Sequence, residues 1–250
     1  MIERVKTGVS GLDSLVGGGF PRGSIILVSG QAGAGKSVLA GQFAVEGARK
    51  GEKSVYLTFE QEPDALRQQL ESFSFGKDIA ALEKSGKLLI ARVQPEYLRL
   101  KGKMGALPDA LFKARLNISE DLRKDLLKKV KETGAQRVVI DSISSIPLAL
   151  PREFDAGFVK ELIMDLADEM RALGITCVAI SELGLSPEWL SRDTYSEFIS
   201  DGVILLSLST VGATSTRTLQ VVKMRGTKID AGIRNFEFTA KGIEVEAGDA

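Results

Sequence analysis

The sequence predicts an α/β fold: a mostly parallel sheet flanked by helices, with antiparallel strands towards the C-terminal end. Three observations carry this. Short β-branched runs alternate with longer stretches whose apolar residues recur at helical spacing. The runs are apolar at successive positions, as in strands buried on both faces. Beyond Ser200 the helical stretches give way to strand-like runs. In chain order, "SIILVS" is the first core strand and 38–50 the helix after it. "SVYLTF" and "LLIARV" are the next strands, 120–132 a helix, "RVVID" a strand, 157–173 a helix and "TCVAIS" a strand. "GVILLSLS", "RTLQVVKM", "NFEFTA" and "IEV", joined by short Gly, Thr and Ser segments, read as antiparallel hairpins. At 250 residues and 44% hydrophobic the chain can bury a sizeable core, and one domain over 1–250 is expected. The irregular stretch 94–117 is too long for an ordinary connection and reads as a mobile functional loop or a disordered one.

Composition excludes several functions. Lys plus Arg is 33 and Asp plus Glu is 33, so any polyanion site must be local. Neither a signal sequence nor a membrane span is expected, which predicts a cytoplasmic protein without membrane insertion. There is no histidine, so histidine-based triads and histidine-bound zinc are excluded. The single cysteine, Cys177, lies in an apolar run and reads as a buried structural thiol.

"GQAGAGKS", between the first core strand and a helix, matches G-x-x-x-x-G-K-[ST]. Small residues let successive backbone N–H groups turn inwards around a phosphate, and the helix adds its positive N-terminus. The cradle is Gly30, Gln31, Ala32, Gly33, Ala34, Gly35, Lys36, Ser37 and Val38. Lys36 reaches the outer phosphates, and the Ser37 hydroxyl can ligate Mg²⁺.

A cradle holds a nucleotide without hydrolysing it. Asp141, at the end of "RVVID", would reach the same sheet edge and serve as the second magnesium-side group; standing alone it reads equally as a cap on the next turn. Some phosphate-loop classes place a glutamate after that aspartate, but here the residue is Ser142. The water activator must come from elsewhere. "VYLTFEQEP" ends its strand with Glu60, Gln61 and Glu62 at the same sheet edge, and Glu60 is the candidate base, against the plainer reading of a surface carboxylate. Glu62-Pro63 reads as the start of the next helix.

With these residues placed, the chain resembles the KaiC-like branch of the RecA/RadA ATPase superfamily. "TGVSGLDSLVGGGFPRGSIILVSGQAGAGKS", "VYLTFEQEP", "RVVIDSIS" and "VVKMRGT" fall in the family's order. The resemblance implies a RecA-like core binding ATP with Mg²⁺ and assembling into a homo-oligomeric ring, usually a hexamer, with ATP between adjacent protomers. It implies that Glu60 is the catalytic glutamate and that Lys223 and Arg225 reach the neighbour's γ-phosphate. Alternation in "RTLQVVKM" puts those two cations on one face, where they could offset charge on a transferred phosphoryl group.

Two departures limit the transfer. Clock members pair two such domains and commonly carry two consecutive glutamates where this chain has Glu60-Gln61, so clock function is not inherited. Where the self-phosphorylating half has a Ser-Thr pair, this chain has Glu197-Phe198. Autophosphorylation at that pair is chemically impossible, although Thr194 and Ser196 are nearby hydroxyls.

Other features carry less. Gly17–Gly19 lack a Lys-Ser ending and read as a tight turn. Ser181-Glu182 is either a strand terminus or a sensor of nucleotide state, and Trp189 and Tyr195, in the irregular "LSPEWLSRDTYSEF", read either as packing residues or as part of an interface or central-channel segment. The stretch 92–131 has eleven basic residues against five acidic, either a solvated face or a polyanion or partner contact. Its aromatics, Tyr97 and Phe112, are weak material for base stacking. Three functions follow: a ring ATPase acting on a regulatory protein partner, an ATP-dependent DNA-binding protein, or a non-hydrolysing nucleotide switch.

Overall fold

A computed structural model describes residues 2–93, 123–147, 156–183, 190–211 and 214–246. The stretch 94–117, Trp189 and most of 92–131 lie outside the described residues. A short antiparallel pair, β1 (Arg4–Val5) and β2 (Phe20–Pro21), precedes nine strands of one sheet. These are β3 (Ile25–Gly30), β4 (Ser54–Thr58), β5 (Leu88–Arg92), β6 (Arg137–Asp141), β7 (Thr176–Glu182), β8 (Gly202–Val211), β9 (Thr214–Met224), β10 (Arg234–Thr239) and β11 (Gly242–Val245). Their order is β11-β10-β9-β8-β3-β7-β6-β4-β5.

The strands from β8 to β5 run parallel in that order, while β9, β10 and β11 are antiparallel to their neighbours. The expected α/β class is therefore present. One correction applies to "GVILLSLS": β8 is not merely a hairpin arm, because its other edge pairs in parallel with β3.

The described helices are α1 (Leu12–Leu15), α2 (Lys36–Arg49), α3 (Pro63–Glu71), α4 (Ile79–Lys84), α5 (123–133), α6 (Ala156–Ala172) and α7 (Ser196–Ile199). Successive strand residues enter opposite faces of the sheet. Ile26, Val28, Tyr56, Val139 and Val178 pack with Leu39 and Phe43 of α2. Ile25, Leu27, Leu57, Val138 and Cys177 pack with Leu126 of α5 and Leu162 of α6. Helices on both faces explain why these strands read as apolar throughout. Cys177 is 1% exposed, as a structural thiol should be.

One buried charge breaks the apolar pattern. Arg137, at the start of β6, is 1% exposed and donates to Glu52 Oε2 at 2.5 Å, Lys6 O at 2.7 Å and Phe43 O at 3.0 Å. A cation taken out of water needs such partners. The result pins the N-terminal segment and α2 to the sheet.

Candidate active site

Gly30 ends β3 and Gly35 caps the N-terminus of α2 with φ 105° and no side-chain hydrogen bond. Both positions need glycine. A Cβ on Gly30 would lie 2.4 Å from Leu206 O, and one on Gly35 would lie 2.8 Å from Phe238 Cζ. Between them Gln31, Ala32, Gly33 and Ala34 form the turn, with Ala34 and Val38 buried as its anchors. The first amides of a helix lack intrahelical acceptors, so this uncapped start of a 14-residue helix can receive an anion. Lys36 Nζ folds over the loop, donating to Gly30 O at 2.7 Å and Gln31 O at 2.9 Å. Burial lowers the Lys36 ammonium below the usual lysine range, opposed by the charges of Glu182, Asp141 and Glu60.

Parallel pairing brings the acidic candidates to the same edge. Gly30 is in register with Glu182 across β3 and β7, and Thr58 with Asp141 across β4 and β6. Glu60 lies two residues beyond β4 and accepts a hydrogen bond from Ser145. Ser37 Oγ and Tyr56 Oη donate to Asp141 Oδ2 at 2.8 Å and 2.6 Å. Burial raises the Asp141 carboxyl above its ordinary value, while the bonds from Tyr56 and Ser37 and the charge of Lys36 work against it. The Tyr56 phenol is pushed well above its ordinary value by burial, then by the Asp141 charge. A hydroxyl and a carboxylate oxygen held this close are hard donors and fit Mg²⁺, which commonly uses one or two protein ligands and completes its shell with phosphate and water.

The two other predicted residues are elsewhere. Lys223 is near the end of β9 and donates to Glu197 O at 2.6 Å. Arg225 lies one residue beyond that strand, contacting Asp201 Oδ1 at 3.1 Å and Phe198 O at 3.4 Å. Both cations thus lie over the segment 197–201. Burial and then the Arg225 charge lower the Lys223 ammonium. The Arg225 amide bonds Asp201 O, and the Asp201 amide bonds Ile25 O, so this end of β9 meets the beginning of β3. Five steps along β3 separate Ile25 from Gly30, roughly 17 Å at strand rise. Within one chain the cations and the cradle occupy opposite edges of the sheet.

The secondary candidates also have positions. Gly17–Gly19 form a turn between α1 and β2. Glu182 pairs with Arg192 at 2.5 Å, and the Ser181 hydroxyl meets Ser144 Oγ at 3.1 Å. Tyr195 packs against the α6-side core, Ser196 is buried against Asp193, and Thr194 is exposed. Glu197 is buried and accepts from Ser191, whereas Phe198 is 64% exposed. Sequence reasoning missed Tyr56, Ser144 and Ser145. Tyr56 had a signal available: it is the polar-tipped residue two before the end of β4, opposite Val139 on the strand that delivers Asp141.

A glycine-bounded cradle at the carboxyl edge of a parallel sheet, with a strand-end aspartate on its serine, defines a P-loop nucleotide-binding protein with a RecA-like sheet. Residues 5–250 match the family described as ATPase: KaiC. A UPF0273 protein of Aeropyrum pernix is 31% identical over 98% of this chain and 94% of its own length. The circadian clock protein KaiC3 of Synechocystis is 32% identical over 98% of this chain but only 46% of its own. The crystal structure of a KaiC-like protein from Pyrococcus horikoshii superposes with a TM-score of 0.81 at 31% identity, covering 98% of this chain and 100% of that one. The chain belongs to the KaiC-like family of RecA-type ATPases. Among the described residues no helix is long and apolar enough to cross a membrane.

Proposed function

We propose that the protein is a Mg²⁺-dependent ATPase working as a homo-oligomeric ring, with each active site shared by adjacent protomers. One chain contributes the cradle, Asp141 and Glu60; the next contributes Lys223 and Arg225. The observation that carries the sharing is the separation along β3: cations at one sheet edge cannot serve a cradle at the other within the same chain.

Ser37 and Asp141 would hold Mg²⁺, which when bound supplies positive charge against the phosphate oxygens. The uncapped amides of α2 and the Lys36 ammonium bind the phosphate chain. Glu60 accepts a proton from water as the water oxygen bonds the γ-phosphorus. The bond from that phosphorus to the β,γ-bridging oxygen breaks, and its electron pair leaves on ADP. Lys223 and Arg225 of the neighbour stabilise the charge that develops, a role worth roughly 10³- to 10⁵-fold for an arginine finger. A regulatory task, with turnover driving conformational change for a protein partner, and a cytoplasmic location complete this reading.

DNA binding draws less support. Of the described cations in 92–131, Arg92 pairs with Glu62, Arg123 and Lys131 with Glu169, and Lys129 with Asp125. Phosphate release from ring-sized fractions, with and without single-stranded DNA, tests all three functions. Release independent of DNA and lost in Lys36→Ala is the expected result. ATP bound without release would favour a switch, and salt-sensitive stimulation by DNA would favour a recombinase-like role.

A further inference from the structure

Asp141 is followed by Ser142 and a 3-10 turn, Ile143–Ser145, whose hydroxyls face two ways. Ser144 serves β7: its Oγ lies 3.1 Å from Ser181 Oγ and accepts the Glu182 amide at 2.9 Å. Ser145, 4% exposed, bonds instead to Oε1 of Glu60, which stands on the chain leaving β4. An ionised carboxylate only accepts, so Ser145 is the donor. A hydroxyl has one hydrogen. In the 2.8 Å contact between Ser142 Oγ and Ser145 Oγ the donor is therefore Ser142. The chain of donation runs one way, from Ser142 to Ser145 to Glu60.

The turn is anchored firmly enough to aim a side chain. The Ser145 amide bonds Ser142 O at 3.1 Å and the Ile146 amide bonds Ile143 O at 3.1 Å. Ile143 and Ile146 are buried in the α6-side core. Glu60 is the opposite case, an exposed carboxylate just past a strand end with rotamer freedom to lose. Its Oε2 has no hydrogen-bond partner among the described residues.

We propose that Ser145 is a positioning residue for hydrolysis: it fixes Oε1 of Glu60 and leaves Oε2 to accept the proton of the attacking water. This rests on the assignment of Glu60 as the base. Ser145 touches neither ATP nor water and acts through the carboxylate alone. Its loss should misdirect the base while the cradle still binds ATP.

The test is a two-residue cycle on the assembled protein, reading kcat, KM and ATP affinity for Ser145→Ala, Glu60→Gln and the double variant. Ser145→Ala should lower kcat about tenfold with KM and ATP affinity unchanged. The double variant should be no slower than Glu60→Gln, since one group acts through the other. Parental kcat in Ser145→Ala beside a slow Glu60→Gln would overturn the inference alone. Equal slowing by Ser145→Ala in both backgrounds would overturn it too, because the effect would not pass through Glu60. Parental turnover in Glu60→Gln would overturn the base assignment and the inference together. Should Ser145→Ala fail to fold, Ser145→Cys, nearly isosteric but a weak donor, enters the same cycle with the same expected outcomes.

Discussion

The Ser37 hydroxyl donates to Asp141 Oδ2 at 2.8 Å, joining the first turn of α2 to the end of β6 across 104 residues of chain. The Tyr56 phenol bonds the same oxygen at 2.6 Å, so the carboxylate is held from two sides. Asp141→Asn keeps the shape and loses the charge. ATP affinity measured against Mg²⁺ concentration should show the Mg²⁺ requirement shifted upwards at least about tenfold. An unchanged Mg²⁺ dependence would remove Asp141 from the metal site.

Gly35→Ala should harm both fold and site. At φ 105° a side chain is strained, and its Cβ would come within 2.8 Å of Phe238 and 3.2 Å of Ile243. A loss of about 1–3 kcal/mol is expected in denaturant unfolding, with weaker ATP binding. Gly33→Ala, at φ 77° with no heavy atom within 4 Å of the added carbon, should cost less.

Cys177 should resist thiol reagents until the protein unfolds. Burial pushes its pKa to about 12, so the folded thiol stays protonated at neutral pH. The sign of the linkage follows from the raised folded value. The contribution to stability is complete below the unfolded cysteine pKa near 8.5 and is lost as pH rises from there towards about 12, at about 1.4 kcal/mol per unit. Labelling kinetics at pH 8, with and without denaturant, check this resistance to thiol reagents. Rapid native labelling would contradict it.

The parallel core was legible because "SIILVS", "RVVID" and "TCVAIS" are apolar on both faces, and the cradle because its residue types and spacing follow from the mechanics of holding a phosphate. Asp141 and Glu60 could be read as strand-end acids. Their proximity could not, since it depends on β6 lying between β4 and β7, an order set by packing of distant segments. Ser145 and Tyr56 lie 85 residues from the carboxylates they serve, and neither belongs to a local pattern. Arg137 hid at the head of an apolar strand because its partners come from residues 6, 43 and 52. For Lys223 and Arg225 the alternation gave a common side but not an edge, since β8 and β9 run opposite ways.

With the two cations at that edge, an active site shared between protomers can be read by mixing subunits. Glu60→Gln and Arg225→Ala should each bind ATP and release phosphate at least about 100-fold more slowly than the parent. In an equal mixture allowed to exchange subunits, a competent interface joins an intact Glu60 from an Arg225→Ala chain to an intact Arg225 from a Glu60→Gln chain. Random head-to-tail placement gives about a quarter of interfaces both groups. A shared site predicts phosphate release approaching a quarter of the parental rate with independently acting sites. No recovery after confirmed exchange, or parental turnover by Arg225→Ala alone, would contradict it.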